Sequence, residues 1–121
     1  MAAPNIVNVT NITGKTAYIA VTTSAQDFLV NAASSNRVFK VNSIIVANIN
    51  GTAAASVTVY ISRNATEYRL ASTIQVPANA SLVVLSKDAG IYMEEGDTLK
   101  IIGSANNYLH ATCSYESITN V

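Results

Sequence analysis

Apolar residues in this chain recur at alternate positions in short runs, and each run stops at Asn, Gly, Pro or Ser before a helical period can establish itself. Strands are then the one regular element available along most of the length. About eight or nine such runs, with turns roughly every 8 to 12 residues, is the spacing of a sandwich or small barrel. The expected fold is all-β: an antiparallel two-sheet β-sandwich, with jelly-roll-like connectivity preferred, although the same spacing also fits an immunoglobulin-like order.

Residues 38–62 organise the rest. Val57, Val59 and Ile61 fall on one face while Ser56, Thr58, Tyr60 and Ser62 fall on the other, as in a half-buried strand. Upstream, Phe39 and Val41 oppose Lys40 and Asn42, after which Ile44, Ile45 and Val46 make both faces apolar. That is the pattern of an interior strand covered on both sides. Asn50-Gly51 between the two runs tolerates positive φ, so the pair reads as a central β-hairpin with its connection widened by residues 52–55.

Residues 1–15 carry Pro4, several Asn and Thr, and scattered Ile6, Val7, Val9 and Ile12. They are predicted to form an extended N-terminal arm with one short strand, either an edge strand or an arm lying on a neighbouring subunit, with too few apolar groups to pack alone and too many for a solvated tail. Such a segment suits strand addition to a neighbour's sheet edge. Residues 16–121 are predicted to be a single β-sandwich domain. Its further strands are expected over residues 16–23, 26–31, 66–76, 81–86, 91–93, 98–103 and 108–116, and Pro77 ends one of them because proline cannot donate to a ladder.

Apolar residues make up 50% of the chain but charged residues only 12%, about half the usual ~25%, so Ser, Thr and Asn must supply the polar surface. A formal net charge of zero removes the phosphate-neutralising term, which argues against a nucleic-acid partner. It also gives little repulsion between copies, so much of the surface is expected to be covered by other protein. No apolar run approaches the ~20 residues of a membrane-crossing helix, and no membrane partner is expected. The single cysteine, Cys113, excludes an internal disulfide, and the N-terminus lacks the basic-then-apolar secretory pattern, so synthesis in the cytoplasm is expected. The Asn-x-Ser/Thr triplets at Asn8, Asn11, Asn50, Asn64 and Asn79 then read as turn residues rather than glycosylation sites.

Residues that carry chemistry are sparse. His110 is the sole histidine and has no neighbouring ligands for zinc, and Cys113 lies three positions away on an alternating strand, hence on the opposite face. His110 reads as a surface residue and Cys113 as a small core residue. The turn Glu94, Glu95, Asp97, with Asp88 nearby, lacks the ligand spacing of a calcium loop. Pairing it with Asp27 or Glu67 for glycosidic hydrolysis would need a lined cleft, and the chain has no tryptophan to line one. No enzyme activity, metal or cofactor is expected. Of the six tyrosines, Tyr60 and Tyr108 join Ile6, Val7, Val9 and Ile12 as candidate interface residues, because a tyrosine on a polar face combines apolar area with a hydroxyl.

Three stretches go beyond generic β pattern: residues 38–62, then Ile91-Tyr92-Met93-Glu94-Glu95-Gly96-Asp97-Thr98-Leu99, then Cys113-Ser114-Tyr115-Glu116. Together, over roughly residues 40–118, they resemble small virion structural proteins of tailed bacteriophages, especially those of marine hosts. The resemblance implies a β-sandwich that decorates capsids or builds tail or neck parts, with no catalytic residues. The expected function is a capsid decoration protein that binds the assembled shell and stabilises it. Its partners would be the major capsid protein or other virion proteins and further copies of itself, a trimer by preference, and its location the virion. A tail or neck component, and a carbohydrate-binding or adhesin module, are the alternatives.

Overall fold

The structure, a computed structural model, describes residues 11–119. Among them the strands are β1 (Asn11–Ala20), β2 (Gln26–Val30), β3 (Arg37–Asn48), β4 (Ala55–Arg63), β5 (Thr66–Val76), β6 (Ser81–Leu85), β7 (Ile91–Met93), β8 (Thr98–Gly103) and β9 (Leu109–Thr119), with one 3₁₀ turn at Lys87–Ala89. One sheet has the order β1-β9-β3-β6 with β7 also on β3, and the other has the order β2-β8-β4-β5. Every pairing is antiparallel.

Because β9 takes up one whole edge of β3, β6 and β7 share the other, at Ile44–Ala47 and at Phe39–Val41. They stand in for a single strand. With that merger the two sheets have jelly-roll order, and the chain changes sheet at each connection except the β4–β5 hairpin and the step from β6 to β7.

The hairpin expected over residues 38–62 is therefore corrected. Both runs are strands, but β3 and β4 lie in different sheets and do not pair. Each presents its most apolar face to the same core, so residues 49–54 must carry the chain across the gap of about 10 Å between sheets instead of turning within one. Asn48 fixes this crossing. Its side-chain amide donates to the carbonyls of Ala53 (3.0 Å) and Val76 (2.9 Å), and its oxygen accepts from the Asn50 amide at 2.8 Å. Asn31 does the same between β2 and β3, donating to Arg37 O and Met93 O, both at 3.0 Å. The tight in-sheet turn falls instead at Asn64-Ala65, with φ of 53° and 64°, the left-handed pair of a two-residue hairpin loop. Asn79 also has positive φ, and Asn50 Oδ1 accepts from the Thr52 and Ala53 amides, so three of the five Asn-x-Ser/Thr sites serve turns. Asn11 lies in a strand and Asn8 outside the described residues.

The arm boundary predicted at residue 15 also moves, and the edge-strand alternative holds for residues 11–15. β1 pairs with β9 at ten consecutive positions, from Asn11↔Thr119 to Ala20↔His110, so residues 11–15 belong to the sandwich. Ile6, Val7 and Val9 lie outside the described residues.

The core fills the space between the sheets. Val41 and Ile44 from β3, Val59 from β4, and Leu99 and Ile101 from β8 are fully buried there. β3 is an interior strand as expected, flanked by β9 and by β6 with β7, but its outward face is not covered over its whole length: Ile45 reaches solvent. That departure creates the surface described next.

Candidate interaction surface

Residues paired across an antiparallel sheet point to the same face, so register assigns the outer face of the β1-β9-β3-β6 sheet strand by strand. Cys113 and Ile44 point inward and are buried. Thr112 and Ile45, one position along, point outward as a pair, and they are flanked by Tyr18 on β1 and Val83 on β6. The row Tyr18–Thr112–Ile45–Val83 thus crosses four strands without a charge. Tyr18 is 78% exposed, Val83 57% and Ile45 39%. A second outward row, Tyr92–Lys40–Glu116–Gly14, sets exposed Tyr92 beside one opposite-charge pair of positions. A third runs Ile12–Ile118–Val38, with Ile12 exposed and the other two buried. Among the described residues, five large exposed apolar side chains share this face: Ile12, Tyr18, Ile45, Val83 and Tyr92. Along its β1 side, Tyr18, Ala20, His110 and Thr112 line a shallow groove.

The sequence-predicted residues are distributed unevenly around this surface. Ile12 lies on it, 57% exposed. Tyr60 does not: it lies in the other sheet between Arg69 and Lys100 and is only 6% exposed, which leaves little of its ring for a partner. β4 keeps its alternation and pairs with β8 without a shift; the extra residues of the β4–β5 pairing lie on β5, whose Thr73 amide donates to Thr58 Oγ1 at 2.9 Å, and Thr58 and Tyr60 are both buried on the face opposite Val57 and Val59. Tyr108 is half-buried against the core just before β9, and its carbonyl accepts from the Ile49 amide at 2.7 Å. Tyr18, Ile45 and Val83 were not singled out from sequence. The available signal was the doubly apolar run at residues 44–46, which reads equally well as a covered strand and as a sticky outer face.

His110 is exposed on the outer face and Cys113 fully buried on the inner, as their spacing predicts. Burial pushes the Cys113 thiol up to about 12, far from the thiolate range needed for nucleophilic chemistry. Native protein is expected to leave Cys113 unlabelled by a thiol reagent at pH 8 and to label fully once denatured; fast native labelling would place this side chain on the wrong face.

The acidic turn is already occupied by protein. Asp97, fully buried, receives two hydrogen bonds from Arg63, Nε to Oδ1 at 2.7 Å and Nη2 to Oδ2 at 2.6 Å, and a third from the Glu94 amide at 2.9 Å. Glu95 accepts from the Asn36 amide at 2.7 Å, and Glu94 approaches Arg63 at 3.1 Å. Burial alone would raise the Asp97 pKa, but the Arg63 hydrogen bonds, the Glu94 amide and the Arg63 charge together hold it below the usual carboxylate value. Among the described residues, no group of three or more His, Cys, Asp or Glu is placed to hold a metal ion.

No protein-family model and no curated protein matches the chain. Among solved structures, it is similar to one described as "Bacillus endospore appendages form a novel family of disulfide-linked pili", with a TM-score of 0.51 and 19% identity over 91% of this chain and 89% of that one. At that identity the likeness shows a shared fold.

Proposed function

We propose that the chain is a non-enzymatic structural protein that docks through the outer face of the β1-β9-β3-β6 sheet onto an assembled protein surface, in the form of a capsid decoration protein of a tailed phage. The observation that carries docking is the uncharged row Tyr18–Thr112–Ile45–Val83, since exposed apolar area running across four strands of one sheet face favours cover by another protein. The phage setting comes from the sequence resemblance. A second reading, a subunit of a fibre, is favoured by the similarity to a pilus protein. Such a fibre would not use Cys113 for disulfide links, because this cysteine is fully buried.

Co-sedimentation with undecorated shells, alongside electron microscopy of the chain alone, separates these readings. Saturable shell binding without filaments is expected, and Ile45→Lys combined with Val83→Lys should weaken it at least about tenfold, because each charge would have to be desolvated on docking. Filaments of the chain alone would favour the fibre. Neither filaments nor shell binding would overturn both readings in favour of a tail component or a glycan-binding module.

A further inference from the structure

A sheet edge exposes unpaired backbone donors and acceptors, and proteins normally blunt it with bulges, charges, prolines or short strands. Among the described residues this sandwich has four edges, and three are blunted. β5 has register shifts against β4, Thr73 at φ 51°, and charges at Glu67 and Arg69. β2 has five residues, a register shift after Asp27, and the Asp27 carboxylate held by Lys100 at 3.0 Å. The β6–β7 edge is interrupted by the 3₁₀ turn between its two pieces. Among the described residues, β1 has none of these devices. Its ten residues pair with β9 without a shift, contain no proline, and carry one charge, Lys15.

We propose that β1 pairs antiparallel with β1 of a second copy across a two-fold axis at Thr16, joining the two outer faces into one continuous surface. The occupant follows from the fit of the edge to itself. Pairs across such an axis must share a face, so the candidate registers are few. Centring on Lys15 would set two like charges directly opposite each other. Centring on Thr16 places Lys15 across from Ala17 of the second copy and, on the outer face, Tyr18 across from Gly14 of the second copy. A Cβ at Gly14 would meet nothing within 4 Å, so that site has room for the exposed Tyr18 ring, an aromatic lying over an edge glycine. The apolar row Tyr18–Thr112–Ile45–Val83 then continues toward the second copy. A zero net charge adds no long-range repulsion between copies. This pairing rests on the reading of the chain as an assembly subunit, and it replaces the three-fold symmetry preferred from sequence with a two-fold.

Size-exclusion chromatography with light scattering on the full chain, without shells, tests it. Wild type is expected at twice the monomer mass, and Thr16→Lys, which sets like charges together at the axis, is expected to weaken dimerisation at least about tenfold while the circular dichroism spectrum is unchanged. Under mild oxidation Thr16→Cys should form a linked dimer and Tyr18→Cys should not, because only the residue on the axis meets its own copy within disulfide reach. A monomer or trimer mass for wild type, a dimer indifferent to Thr16→Lys, or equal cross-linking at both positions would overturn the pairing. So would a dimer that survives Thr16→Lys but is lost on deleting residues 1–10, which would make the arm the occupant. The shell-binding variants lie on β3 and β6, away from this edge, so loss of the dimer with shell binding intact fails this inference alone.

Discussion

Val59→Lys is expected to abolish cooperative folding. Val59 is fully buried at the centre of β4, paired with Ala71 on β5 and Ile101 on β8, and the core around it offers no acid to an ammonium group. Burying that charge unpaired, or distorting the sheet to release it, should cost more than about 3 kcal/mol, a large share of the 5 to 15 kcal/mol that holds a domain together. Ile61→Asp makes an internal comparison. Ile61 has the same parity but is only half-buried near the end of β4, so an aspartate there can reach water and the loss should be smaller. Thermal unfolding followed by circular dichroism reads both. An unchanged midpoint for Val59→Lys would mean that the faces of β4 are assigned the wrong way round.

Strand existence was legible because alternation and turn residues are local. Residues 66–76, 91–93 and 98–103 are strands over the spans read from sequence, and Asn64 is a turn residue as expected. Connectivity was not legible at residues 38–62, because Asn50-Gly51 permits positive φ without requiring a two-residue loop. Whether two successive strands pair or cross the core depends on which side of each faces the interior. Here both β3 and β4 face it, and Asn48 supplies the buried hydrogen bonds that hold the crossing. The N-terminal boundary failed for a related reason. Asn11, Thr13 and Lys15 give β1 a polar start, and its pairing partner β9 lies about a hundred residues away in sequence, too distant for any local pattern to reveal.

The candidate surface was legible only in part. Ile12 was named from composition and lies on it, whereas Tyr60 was named from parity, keeps that parity on the other sheet, and is buried there between the positions of Arg69 and Lys100. Alternation gives the face of a side chain but not its exposure, which depends on what the neighbouring strands place beside it. The outer row escaped notice because its members come from four strands far apart in sequence, and register alone brings Tyr18, Ile45 and Val83 into line.

Arg63→Ala is expected to be the most costly single change outside the core. It would strip Asp97 of two charge-assisted hydrogen bonds and leave a fully buried carboxylate with only the Glu94 amide as a named donor. Removing one partner of a buried pair costs about 3 to 5 kcal/mol, and since the Arg63 side chain is 45% exposed and water can partly take its place, about 2 to 4 kcal/mol is expected. Lysine should rescue little, because a single ammonium does not reproduce the two-pronged contact. The sign of the pH dependence separates this from a packing defect. In the native protein Asp97 titrates below its unfolded value of about 4, so its contribution is complete above that value and is lost as pH falls through the lower folded value. In Arg63→Ala, burial is no longer opposed by Arg63, the folded value rises, and the variant is penalised at neutral pH but less so once the carboxyl is protonated. The gap in thermal midpoint between wild type and variant should therefore be widest near pH 7 and narrow toward pH 3. A gap that stays constant over that range would show that Arg63 stabilises the β4–β8 end through its aliphatic stem and not through its pairing with Asp97.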